Sequence, residues 1–105
     1  MAANFRKRVL IVDDEERNLM KLENLLENRG YDTVTAWGGK EALKHLRSTD
    51  FDLVLLDDFL PDIASEEILK AIRRLPIRPL VILLEGLVSS AVRALSLSPW
   101  RQIVR

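Results

Sequence analysis

Two short apolar runs, Val9-Leu10-Ile11-Val12 and Leu53-Val54-Leu55-Leu56, each end in carboxylates: Asp13 and Asp14 after the first, Asp57 after the second. Runs made only of β-branched residues and leucine, with no polar alternation, predict strands buried on both faces, the kind that parallel sheets require. Open α/β sheets gather their sites at the carboxyl ends of the strands. Parallel neighbours would therefore bring the three acids together. Like charges held close are unfavourable unless a bound cation or a proton relieves them. The pattern predicts a hard-cation pocket with one carboxylate, Asp57, placed to react.

The segments between these runs follow a strand–helix order. Asp14, Glu15 and Glu16 stand where acids favour a helix start. Leu19, Leu22, Leu25 and Leu26 recur at helical spacing, and Gly30 after Arg29 supplies a stop. Residues 31–36 alternate like a short strand, Gly38-Gly39 breaks the chain, and Ala42, Leu43 and Leu46 form the stripe of a second helix. The third strand is 52–57, followed by a loop from Asp58 to Ala64 that contains Pro61. Ser65, Glu66 and Glu67 open a third helix carrying Ile68, Leu69, Ile72 and Leu75. Pro76 and Pro79 bracket the turn into a fourth strand, Leu80–Leu84, and Val88, Val92 and Leu95 predict a fourth helix over about 88–97. Such units with short connections imply helices on both faces of a parallel sheet. The right-handed crossover rule makes a flavodoxin-like, doubly wound α/β sheet the most economical arrangement.

Composition narrows the classes. The 105 residues, with no net formal charge and 48% apolar, suit one domain with a modest core, spanning 1–105 with 1–7 as an N-terminal extension. The absence of cysteine excludes disulfides and thiolate metal sites and suits a cytoplasmic protein. The opening MAANFRKRVLIV has the basic region of an export signal, but its apolar run stops at Asp13, and no run approaches a membrane span. After Glu67 only Glu85 is acidic, against Lys70, Arg73, Arg74, Arg78, Arg93, Arg101 and Arg105. That basic bias favours an acidic partner. No reading helix or aromatic-interleaved basic patch accompanies it, so direct nucleic-acid binding is not expected.

With VLIVDDEERN at the first strand and LVLLDDFLPD at the third, separated by helix, strand and helix, the chain resembles the receiver domain of two-component response regulators. The resemblance covers residues 8 to roughly 84 well. It implies that Asp57 is the phosphoacceptor. It also implies a magnesium site of Asp13, Asp14, Asp57 and the backbone carbonyl of Phe59, with Asp14 a direct ligand and Asp13 reaching the ion through water. The implied partner is a sensor histidine kinase or phosphotransfer protein, and the implied place is the cytoplasm. Such a domain is not an enzyme on a separate substrate; at most it catalyses its own phosphorylation and dephosphorylation. The chemistry agrees with the resemblance, because magnesium prefers oxygen ligands and a carboxylate can attack a phosphoryl group.

The chain departs from the family at its end. The Thr or Ser that normally closes the fourth strand falls on Leu84, which has no donor. The family's Lys-Pro falls on Ser98-Pro99 in one register. In the favoured register RQIVR is a fifth strand and Arg105 stands for the lysine, keeping charge but not ammonium geometry. Residues 98–105 then read as an incomplete end, with five strands and no fifth helix. That would leave Val9, Ile11, Ile103 and Val104 partly uncovered. Self-association as a homodimer, with Trp100 at its rim, or docking on a parent protein, is the expected remedy.

Plainer readings compete. The acids at 13–16 could merely complement a helix dipole, though Asp57 makes that reading weak. Asp58 and Asp62 read as loop and turn residues, and His45 as a solvated helix residue. Trp37 and Trp100 serve either as core fillers or as interface anchors. Gly38-Gly39-Lys40 is not a phosphate loop, since Glu41 follows the lysine. A pseudo-receiver that keeps the fold but does not switch by phosphorylation is the main alternative function. A haloacid-dehalogenase-type phosphatase needs a second acid two residues after the nucleophile, where Phe59 stands.

Overall fold

A computed structural model describes residues 6–84 of the chain. Seven elements follow in alternation: β1 (Arg8–Val12), α1 (Glu16–Glu27), β2 (Asp32–Ala36), α2 (Gly39–Ser48), β3 (Leu53–Asp57), α3 (Ser65–Arg73) and β4 (Leu80–Leu84). All strand pairs are parallel, in the order β2-β1-β3-β4. The chain thus winds outward from β1 to one side and then to the other, and the switch falls between β1 and β3. This is the flavodoxin-like winding.

The apolar runs become two-sided strands as their composition predicts. Leu10, Val12, Val54, Leu56 and Val81 pack on one face with Ala42, Leu46, Ile68, Leu69 and Ile72 of α2 and α3. Val9, Ile11, Leu53, Leu55, Ile82 and Leu84 pack on the other with Leu19, Leu22 and Leu26 of α1. Alternate side chains of one strand therefore serve two different cores. Val9 and Ile11, expected to be partly uncovered, are fully buried, because the leucine stripe of α1 lies over them. The case for self-association loses these two residues.

Local sequence explains the helix ends. Gly30 takes φ +87°, and the Gly30 and Tyr31 amides donate to the Glu27 and Leu26 carbonyls at 3.0 and 3.1 Å. This Schellman closure needs the left-handed conformation that glycine adopts freely. The first helix begins later than its acids suggest: Asp14 precedes it, Glu15 is its N-cap and Glu16 is its first-turn acid. Strand pairing also reaches into the predicted N-terminal extension, with the Asp32 amide donating to the Lys7 carbonyl at 2.9 Å.

The expected fourth helix (88–97), the fifth strand with Arg105, the alternative Ser98-Pro99 register, Trp100, Ile103, Val104 and the missing fifth helix lie outside the described residues. Among the described residues, no helix is long and apolar enough to cross a membrane.

Candidate metal and phosphoacceptor site

Because β1 and β3 are paired in register, with Val12 opposite Leu56, the residues that follow them emerge side by side at the same edge of the sheet. One carboxylate oxygen from each of Asp13, Asp14 and Asp57 lies within 4.8 Å of the others. The three acids predicted from the ends of the apolar runs therefore meet. They do not meet in equivalent settings: Asp13 is 4% exposed, Asp14 is exposed and Asp57 is half-buried.

Asp13 is held from two directions. Its Oδ1 accepts the Glu15 amide at 2.9 Å, and its Oδ2 accepts the Asn18 side-chain amide at 3.1 Å. Asp14 is exposed, and no hydrogen bond of its carboxylate is found among the described residues. Asp13 is thus tethered within the protein, whereas Asp14 is not. Phe59 joins the site through its backbone: its amide donates to Asp57 Oδ1 at 3.1 Å, while its ring is 77% exposed.

The cluster shows in the acidity of Asp57. Burial, aided by the charges of Asp13 and Asp14, pushes its carboxyl from the ordinary 3.8 up to about 6, while the Phe59 amide opposes the shift. Such a site favours whatever adds positive charge to it. The donor set is all oxygen, which suits a hard divalent cation such as magnesium and not a soft metal.

Leu84 lies in register with Asp57, and the Asp58 amide meets the Leu84 carbonyl at 3.4 Å. The position where the family places a hydroxyl is thus beside Asp57, as residue counting indicates. It is filled by a side chain only 7% exposed within the core on the α1 side.

Several contacts escaped the sequence reading. Asn18 is one; its place in the first turn of α1, five residues after Asp13, was the available signal. Ser65 is the first residue of α3, and its hydroxyl donates to Asp58 Oδ1 at 3.0 Å. Asp62, read as a turn residue, accepts the Gly39 and Lys40 amides at 2.8 and 3.0 Å. Those amides hold its carboxyl below the usual range. Trp37 is 65% exposed, which rules out a core role. His45 is half-buried on α2.

A flavodoxin-like sheet with an acidic triad at the β1 and β3 ends defines a class that comparison makes specific. The family described as response regulator receiver domain matches residues 9–101, and the chain belongs to it. The alkaline phosphatase synthesis transcriptional regulatory protein PhoP of Bacillus subtilis is 43% identical over 68 residues, covering 65% of this chain and 28% of that protein. The CAI-1 autoinducer sensor kinase/phosphatase CqsS of Vibrio cholerae is 40% identical over 67 residues, covering 64% of this chain and 10% of that protein. A crystal structure of the response regulator TrrA from Thermotoga maritima, in complex with Mg2+-BeF, superposes with a TM-score of 0.68 at 40% identity. That match covers 73% of this chain and 67% of TrrA. The region shared with the two sequence relatives is therefore about a quarter and a tenth of their lengths.

Proposed function

We propose that this receiver domain accepts a phosphoryl group on Asp57 from a phosphohistidine of a sensor kinase or phosphotransfer protein, in a magnesium-dependent reaction in the cytoplasm. The observation that carries the reading is the convergence of Asp13, Asp14 and a half-buried Asp57 within 4.8 Å at the switch point of the sheet. The likeness to TrrA, seen with Mg2+-BeF, supports it.

Asp57 attacks as the carboxylate. One of its oxygens forms a bond to phosphorus as the phosphorus–nitrogen bond to the donor imidazole breaks, and the leaving nitrogen takes up a proton. The Phe59 amide at 3.1 Å orients the carboxylate before attack. Asp13, held by Glu15 and Asn18, Asp14, Asp57 and the Phe59 carbonyl would hold magnesium. The ion, when bound, offsets the negative charge of the triad and of the transferring group. No side chain in this scheme acts on a second substrate, so the domain is an acceptor and not an enzyme in the ordinary sense.

Intact-mass measurement after incubation with magnesium and a small acyl phosphate tests the proposal. One phosphoryl adduct is expected on the wild type and none on Asp57→Asn. A wild type that stays unmodified, or an adduct that survives the substitution, overturns it.

A further inference from the structure

We propose that Asp62 is a positioning residue for the Asp57 site: it clamps the loop after β3 onto the amino end of α2, and so fixes the Phe59 backbone against the acceptor. This rests on Asp57 and Phe59 acting as described above. Both oxygens of Asp62 are engaged, Oδ1 by the Gly39 amide at 2.8 Å and Oδ2 by the Lys40 amide at 3.0 Å. The contact joins the loop to the first two residues of α2, more than twenty positions away in sequence. It also supplies the side-chain acceptor that α2 lacks locally, since its N-cap is Gly38 and makes no side-chain bond.

The two glycines make the approach possible. A Cβ on Gly39 would stand 2.8 Å from Ile63 Cβ, and one on Gly38 would stand 3.0 Å from Asp62 Oδ2. Neither glycine has the left-handed backbone that would explain it otherwise; Gly30 is the positive-φ glycine among the described residues. Close contact with loop residues 62 and 63 is their purpose. The Gly38-Gly39-Lys40 turn, dismissed as a phosphate loop, does hold an anion, and that anion is the chain's own carboxylate.

The loop so clamped is short. Its near end is Asp57, with the Phe59 amide on Oδ1. Its far end is Ser65, whose hydroxyl holds Asp58 at 3.0 Å. With Asp62 tied to α2 between them, the backbone around Phe59 is fixed at three points. Groups that orient metal ligands from behind change affinity without touching the ion.

The test compares Asp62→Ala, Asp62→Asn and Gly39→Ala with wild type and with Leu26→Val, a core variant at the far end of α1 that serves as a stability control. Two readouts are followed: protection of the Phe59 amide in hydrogen exchange, and the magnesium concentration giving half-maximal phosphorylation and half-maximal thermal stabilisation. Asp62→Ala should lower the protection and raise both magnesium midpoints roughly tenfold. Asp62→Asn, which keeps one acceptor oxygen, should fall between, and Gly39→Ala should match Asp62→Ala by pushing the loop away with Asp62 intact. Leu26→Val should melt lower while leaving both readouts near wild type. Unchanged Phe59 protection and midpoints in Asp62→Ala, or equal changes in Leu26→Val, overturn the proposal. If wild type takes no phosphoryl group, the acceptor reading fails. Phe59 protection and the thermal midpoint then still decide the role of Asp62.

Discussion

Asp57 and Leu84 are register partners across the β3–β4 ladder, so the side chain paired with Asp57 is a buried leucine with no hydrogen-bonding group. A phosphoryl group on Asp57 would find no hydroxyl there to bind. Leu84→Thr restores one at a cost of roughly 2 kcal/mol in lost packing against the α1-side core. The variant should melt lower yet respond more strongly to a beryllofluoride phosphoryl mimic, with larger amide shift changes along residues 80–84. Equal responses in the two proteins would show that a hydroxyl at this position is dispensable.

The acidity of Asp57 predicts how stability depends on pH. Its carboxyl titrates near 6 when folded, against the ordinary 3.8. A raised pKa stabilises the fold fully below about pH 3.8, and the contribution is lost as pH rises through about 6. Metal-free protein should therefore lose stability across that window. Asp57→Asn removes the ionisation. In chelator above neutrality it should melt about 4–7 °C higher than wild type, corresponding to ~1 kcal/mol after allowance for solvent screening. The difference should vanish near pH 4. A pH-independent difference would mean that burial and the neighbouring acids do not raise the Asp57 carboxyl as described.

Magnesium should relieve the same repulsion. At tenfold excess over its dissociation constant a bound ion adds about 1.4 kcal/mol, or roughly 5–10 °C. Asp14→Ala, which removes the acid without an internal hydrogen bond, should lose most of that gain while melting higher than wild type in chelator. Thermal melts with and without millimolar magnesium decide the point. A wild-type curve that magnesium does not move would exclude the metal site.

The parts of this architecture that were legible in the sequence are those set by local pattern. Runs such as Val9–Val12 and Leu53–Leu56 announce central parallel strands because both faces must be apolar, and acids at their ends announce the site because neighbouring strands share an edge. Gly30 announces a helix end because its backbone needs positive φ. What stayed hidden depends on contacts between distant loops. Asp62 looks like any turn aspartate until α2 is placed beside it, and Gly38-Gly39 looks like a chain break until Ile63 is found against it. Burial of Val9 and Ile11 was misjudged for the same reason: how much of the sheet one helix covers follows from packing, not from the presence of a helix.

Asn18 gives the last prediction. Its side-chain amide donates to Asp13 Oδ2 at 3.1 Å, beside a carboxylate that is 4% exposed. A nearly buried charge that loses one of two hydrogen bonds is poorly compensated, and bonds to charged groups contribute about 1.5–3 kcal/mol. Asn18→Ala should lower the urea midpoint in chelator by a corresponding amount, with an unchanged slope because the surface exposed on unfolding is the same. It should also weaken magnesium binding, since Asp13 would keep only the Glu15 amide to orient it. Asn18→Asp adds a fourth acid to the cluster. It should be less stable than Asn18→Ala in chelator and recover more on addition of magnesium, because the cation then offsets a larger repulsion. Urea titrations of the three proteins with and without magnesium test both orderings. An Asn18→Ala midpoint equal to wild type in chelator would show that Asp13 is adequately held by the backbone alone.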